Sequence, residues 1–147
     1  MVRGKMIDKN KEKSDIGVKV VLNYLVGEGW VCKNVSSNRS EKGCDIVAMK
    51  EGKVLRIEVK CSSKDRGIPD CFGTEFNNKL EVIPDYFYIV RINDDGRPFR
   101  IDILSKEEMN KYSGLHREKR TIKISNKLKT DLYRNRIGNK VNLTHPA

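Results

Sequence analysis

The run Gly43-Cys44-Asp45-Ile46-Val47-Ala48-Met49-Lys50-Glu51-Gly52-Lys53-Val54-Leu55-Arg56-Ile57-Glu58-Val59-Lys60 reads as two short strands, 44–49 and 54–61, joined by a tight turn at Glu51-Gly52. In the second strand Leu55, Ile57, Val59 and Cys61 face one way and Arg56, Glu58 and Lys60 the other, because strand side chains alternate. A two-residue loop at Glu51-Gly52 sets Ile46 opposite Ile57, Ala48 opposite Leu55 and Asp45 opposite Glu58. A slip of one residue would turn Asp45 to the other face, so the register decides whether the two carboxylates meet.

Opposed side chains have Cβ atoms roughly 4.5 to 5.5 Å apart, and like charges at about 5 Å repel by roughly 3 kcal/mol at an effective dielectric near 20. A shared proton, Lys60 alone, or a divalent cation with oxygen ligands would each offset that repulsion, and only the cation uses both carboxylates. Phosphodiester hydrolysis needs charge neutralisation on the phosphate, an activated water and a stabilised leaving oxygen. Asp45 and Glu58 are therefore the candidate metal ligands, with the main-chain carbonyl of Val59 as a third. Lys60 is the candidate to orient or deprotonate the water or to stabilise the phosphate, and Ser62, on the same face, is a further phosphate ligand.

Outward from this hairpin, residues 1–13 are charged and almost without core candidates, which predicts a flexible basic arm. From Ser14, a candidate N-cap, Val18, Val21, Leu22 and Leu25 follow a helix face that Gly27 and Gly29 close. A strand is expected over 30–35, a basic loop over 36–42, and a long loop over the Gly-, Pro- and Asn-rich residues 64–83. A second hairpin, 86–92 with 99–104, turns at Asp94-Asp95-Gly96, and Ser105 with Glu108 has capping-box spacing. That makes about five strands by pattern. Residues 111–140 hold ten Lys or Arg against Glu118 and Asp131 and so carry most of the net charge. Ile124, Leu128, Leu132 and Ile137 suggest a basic helical segment there, from about 111 onward.

The chain has 147 residues, 37% of them hydrophobic, which fits one domain over 14–147. Thirty Lys and Arg against 20 Asp and Glu give a formal charge of +10 and favour a polyanionic partner. With neither a membrane-length apolar run nor the apolar core of a secretory signal, a cytoplasmic protein without a membrane partner is expected. Cys32, Cys44, Cys61 and Cys71 form no C-x-x-C pair, so buried free thiols are expected over a zinc site. The two histidines, His116 and His145, give little support to histidine chemistry.

A helix, a strand, then Gly43-Cys44-Asp45, a hairpin and Ile57-Glu58-Val59-Lys60 resembles the PD-(D/E)XK nuclease superfamily over about residues 14–104, particularly its small resolvase-like and restriction-endonuclease-like members. The resemblance implies an α/β fold with a central mixed β-sheet flanked by helices, Mg²⁺-dependent DNA cleavage with Mn²⁺ able to substitute, and often a homodimer. The proline that names the motif is Cys44 here. Where many members place a glutamate in the first helix this chain has Val18, with Asp15 one turn earlier as the nearby acid and candidate auxiliary residue. DNA contacts are expected from Arg39, Lys64, Arg66, Lys123 and Lys127. The alternatives are a noncatalytic nucleic-acid-binding or assembly protein on the same frame, and a basic ribonucleoprotein component in which Asp45 and Glu58 are incidental.

Overall fold

The computed structural model describes residues 9–36, 44–63, 71–73, 84–116, 121–124 and 138–143. The first element, α1, spans Lys9–Gly27 and starts earlier than Ser14. Residues 9–13 read Lys-Asn-Lys-Glu-Lys, with no Gly or Pro to stop a helix and an acid, Glu12, in the first turn where the helix dipole favours it. They belong to the helix and not to an arm, while residues 1–8 lie outside the described part.

α1 ends in a Schellman motif. The Trp30 N–H donates to Leu25 O at 3.0 Å and the Gly29 N–H to Val26 O at 3.0 Å, with Gly29 at φ 91°, the left-handed conformation such an end requires. Lys50 adds a cation at this terminus, its Nζ donating to Glu28 O at 2.8 Å and lying 5.8 Å from the Trp30 ring centroid.

The strands are β1 (Val31–Asn34), β2 (Ile46–Lys50), β3 (Lys53–Ser63), β4 (Cys71–Gly73), β5 (Tyr86–Ile92), β6 (Pro98–Ser105), β7 (Ser113–His116), β8 (Thr121–Ile124) and β9 (Asn139–Asn142), with a second helix, α2 (Lys106–Tyr112), after β6. Six form one sheet in the order β1-β2-β3-β5-β6-β9. β3 and β5 run parallel and the other pairs antiparallel, so the sheet is mixed. The fold is α/β, a central mixed sheet flanked by helices. The β2–β3 register is the expected one, Ile46 opposite Ile57 and Ala48 opposite Leu55. Positive φ at both Glu51 (50°) and Gly52 (80°) is what a type I′ two-residue turn needs.

α1 covers one face of this sheet. Val18, Val21 and Leu25 pack with Ile46, Ala48, Ile57, Val59, Tyr88, Val90 and Ile101 as the core. Helix and sheet lie close together at Gly17: a Cβ built there would lie 3.1 Å from Cys61 Cβ and 3.3 Å from Val59 Cγ1. The capping box forms as expected, Glu108 N–H donating to Ser105 Oγ at 3.1 Å and Ser105 N–H to Glu108 Oε1 at 3.1 Å. Glu108 Oε2 also accepts the Gly138 N–H at 3.0 Å and so ties α2 to the start of β9.

Two further expectations change. β9 makes a sixth strand, unread because Asn139-Lys140-Val141-Asn142 carries one apolar residue and no alternation. The basic helical segment expected from about 111 is helix only to the end of α2 at Tyr112 and then strand where it is described: β7 and β8 pair as a hairpin and join β4 in a separate three-stranded antiparallel sheet. Thr121-Ile122-Lys123-Ile124 is rich in β-branched residues, and strand propensity wins over the helical spacing that begins at Ile124. Leu128, Leu132 and Ile137 lie outside the described residues, as does most of the expected loop over 64–83, of which 71–73 is strand. Among the described residues no helix is long and apolar enough to cross a membrane.

Candidate active site

β3 outlasts its neighbour. β2 pairs with it only from Lys53 to Ile57, whereas on the other side β5 pairs with it from Ile57 to Ser63. Beyond Ile57 the β2-side edge of β3 has no partner strand among the described residues, and Asp45 sits beside it. The Asp45 N–H donates to Ile57 O at 2.9 Å and Asp45 O accepts the Val35 N–H at 2.8 Å. Asp45 Oδ2 accepts the Val59 N–H at 2.9 Å. The strand ladder stops at Ile46, so Asp45 does not oppose Glu58 as a paired residue. Its carboxylate instead substitutes for the backbone acceptor that Val59 loses where β2 has not yet begun, since a strand N–H needs a partner wherever water is held off. The N–H and C=O of one strand residue point to the same side, so the Val59 carbonyl is directed to this same edge.

A cleft of about 530 Å³ opens here. Its walls are Lys13, Ser14, Asp15 and Val18 of α1, Ser36 after β1, Asp45, and Glu58 to Cys61 of β3. Glu58 is 7% exposed, a degree of burial that a carboxylate bears only when it is paired or ligated. Lys60 and Lys13 are half-buried and Asp15 is exposed. Burial raises the Cys61 thiol to about 11, with the Lys13 charge pulling in the opposite direction. The neutral thiol makes Cys61 a packing residue of the cleft wall and a poor nucleophile.

No protein-family model matches the chain. A UPF0102 protein of Clostridioides difficile (strain 630) is 33% identical to it over 96 residues, covering 65% of this chain and 84% of that protein. The chain belongs to the UPF0102 family. Among solved structures, a bacterial homing endonuclease aligns over 92% of this chain and 78% of its own, at a TM-score of 0.45 and 13% identity.

In this UPF0102 chain the structure brings Asp45, Glu58, Val59 and Lys60 into one cleft, with Asp15 on its helical wall. Ser62 does not join them: it shares a sheet face with Glu58 and Lys60 but is 4% exposed and lies outside the cleft lining. Arg39, Lys64, Arg66 and Lys127 are outside the described residues, and Lys123 is described only as a backbone position on β8.

Lys13, Ser14 and Ser36 are cleft residues that sequence reasoning missed. For Lys13 the available signal was its position one turn before Gly17 on the same helix side, a relation visible only once residues 9–13 are read as helix. Also unread was the buried ion-pair group on β6 and β9. Asp102, 0% exposed, meets Arg100 Nε at 3.1 Å and Lys140 Nζ at 3.0 Å, and Arg100 Nη2 donates to Asp102 Oδ2 at 3.3 Å.

The donor set at the cleft suits a hard divalent cation. Two carboxylates and a main-chain carbonyl are all oxygen, and Mg²⁺ binds through one or two carboxylates while keeping several waters. Asp45 has Oδ1 left beyond the oxygen used by Val59. Among the described residues no group of three or more His, Cys, Asp and Glu side chains is close enough to share an ion.

Proposed function

We propose that this protein is a divalent-metal-dependent endodeoxyribonuclease that hydrolyses DNA phosphodiester bonds in the cleft at the open edge of β3. The observation that carries the reading is the convergence of Asp45, Glu58, the Val59 main chain and Lys60 on one solvent-reachable cleft. Asp45, Glu58 and the Val59 carbonyl would hold Mg²⁺, with Mn²⁺ able to replace it. When bound, such an ion supplies Lewis acidity that neutralises the scissile phosphate and eases ionisation of the attacking water. The Lys60 ammonium donates to a phosphate oxygen or to that water and stabilises the charge that develops during displacement. Asp15, exposed on the opposite wall, is an auxiliary acid that can accept a proton or a water contact. The net charge of +10 draws the DNA backbone to the protein. A homodimer is the economical form for cutting both strands.

A noncatalytic DNA-binding reading is favoured by one observation: Val18, 6% exposed, stands in the cleft wall where an additional acid would assist catalysis. One assay separates the two. Supercoiled, linear and branched DNA are incubated with the protein in Mg²⁺, Mn²⁺ or EDTA, alongside Glu58→Ala and Lys60→Ala. The nuclease cuts with metal only and loses cutting in both variants. A protein that binds DNA tightly and cuts none of these substrates under any metal is a binding module.

A further inference from the structure

Lys13 is the charged residue of the cleft lining that the proposed chemistry leaves without work. It is carried into the wall by close packing: Gly17, one turn later on the same helix side, rests against Val59 and Cys61. α1 runs from this end of β3 toward the Lys50 end, where Lys50 meets Glu28, so the turn before Gly17 lies alongside the open part of β3. Asp15, Asp45 and Glu58 line the same cleft, yet among the described residues Lys13 forms no ion pair with any of them. A half-buried ammonium held in a cleft with three carboxylates and paired to none is set to receive an anion from outside. Lys60 belongs to the β3 wall of this cleft and Lys13 to its α1 wall.

We propose that Lys13 holds the phosphate next to the scissile one, so that the substrate of this cleft is a polynucleotide presenting at least two consecutive phosphates and not a mononucleotide or a lone phosphodiester. The assignment rests on the phosphodiester reading of the cleft. Lys13 is a positioning residue: it fixes the strand's register across the carboxylates without touching the bond that breaks. Its contribution is to binding, and a compact ammonium suits a single phosphate contact.

The test is the salt dependence of binding of a fluorescein-labelled oligodeoxynucleotide, measured by anisotropy in EDTA, for the natural protein, Lys13→Met and Lys19→Met. Lys19 lies on the same helix, exposed and away from the cleft, so it removes the same charge without the contact. Losing one phosphate contact lowers the slope of log K against log salt by about one. That drop is expected for Lys13→Met and not for Lys19→Met, with Lys13→Arg restoring the slope. In Mg²⁺, Lys13→Met raises KM for the oligonucleotide by a larger factor than it lowers kcat, a split that Lys19→Met does not show. Equal slopes for Lys13→Met and the natural protein overturn the proposal, as does an equal drop in Lys19→Met. A drop confined to Lys13→Met in a protein that cuts nothing upholds the phosphate contact and defeats only the hydrolytic reading.

Discussion

The main-chain N–H of Val59 donates to the carboxylate of Asp45 at 2.9 Å, so one residue completes the edge of a strand and offers an oxygen to the cleft. The two roles separate by substitution. Asp45→Ala leaves the Val59 N–H without its acceptor and is expected to cost about 1–2 kcal/mol of stability. Asp45→Asn keeps an amide oxygen for that hydrogen bond but loses the negative charge. Asp45→Asn should therefore melt within a few degrees of the natural protein while losing metal-dependent cleavage. Thermal melts and plasmid nicking on the same preparations check this, and a large loss of stability in Asp45→Asn would show that the charge itself holds the edge.

Gly17 sets how near α1 lies to β3. A β-branched side chain there meets Cys61 Cβ and Val59 Cγ1, both already closer than ordinary contact to a built Cβ. Gly17→Val is expected to destabilise by about 1–3 kcal/mol and to weaken DNA binding, because Lys13 and Asp15 move with the helix. Gly27→Ala, at a helix end with open space around it, should shift stability by less than about 0.5 kcal/mol. Urea denaturation of the two variants checks the contrast.

Glu108 closes the capping box with one oxygen and pins Gly138 with the other. Glu108→Ala removes both acceptors and is expected to cost about 2–3 kcal/mol, whereas Glu108→Gln keeps one oxygen and should cost about half as much. Since Gly138 leads into β9, hydrogen exchange at residues 139–142 should quicken more than exchange in β2.

The hairpin at Glu51-Gly52 and the capping box at Ser105 and Glu108 were legible because each is a local signal fixed by a few adjacent residues. The register followed from the turn alone, and with it came the common neighbourhood of Asp45, Glu58 and Lys60. What could not be read depends on contacts far apart in sequence. β9 earns its place by pairing with β6 and by Lys140 reaching the buried Asp102, and four mostly polar residues carry no sign of that. Asp45 turns to Val59 because β2 begins one residue later, and strand ends are not marked in the sequence. Lys13 was hidden by a helix start that polar helix formers carry back to Lys9.

Cys61 and Tyr88 give a signature at high pH. Burial raises the Cys61 thiol from 9.0 to about 11 and the Tyr88 hydroxyl from 10.0 to about 12. For a group whose pKa is raised by folding, the folded state holds its proton through the window in which the unfolded chain has lost it. The stabilisation is complete below the unfolded value and is lost as pH rises through the folded one. Tm should fall between about pH 9 and 12, and Cys61→Ala should flatten the part of that decline below about pH 11. Tm scans from pH 8 to 12 check it, and a Cys61→Ala curve parallel to the natural one would show that the thiol does not contribute.

The most direct test of the account is the rate of supercoiled plasmid nicking by the natural protein and by Glu58→Gln, each in Mg²⁺ and in EDTA. Glu58→Gln keeps size and hydrogen-bonding capacity but removes the charge needed for a cation, and the account predicts a loss of at least about 100-fold, with no nicking by either protein in EDTA. Nicking that survives EDTA, or that Glu58→Gln retains at the natural rate, would contradict a metal-dependent nuclease centred on this cleft.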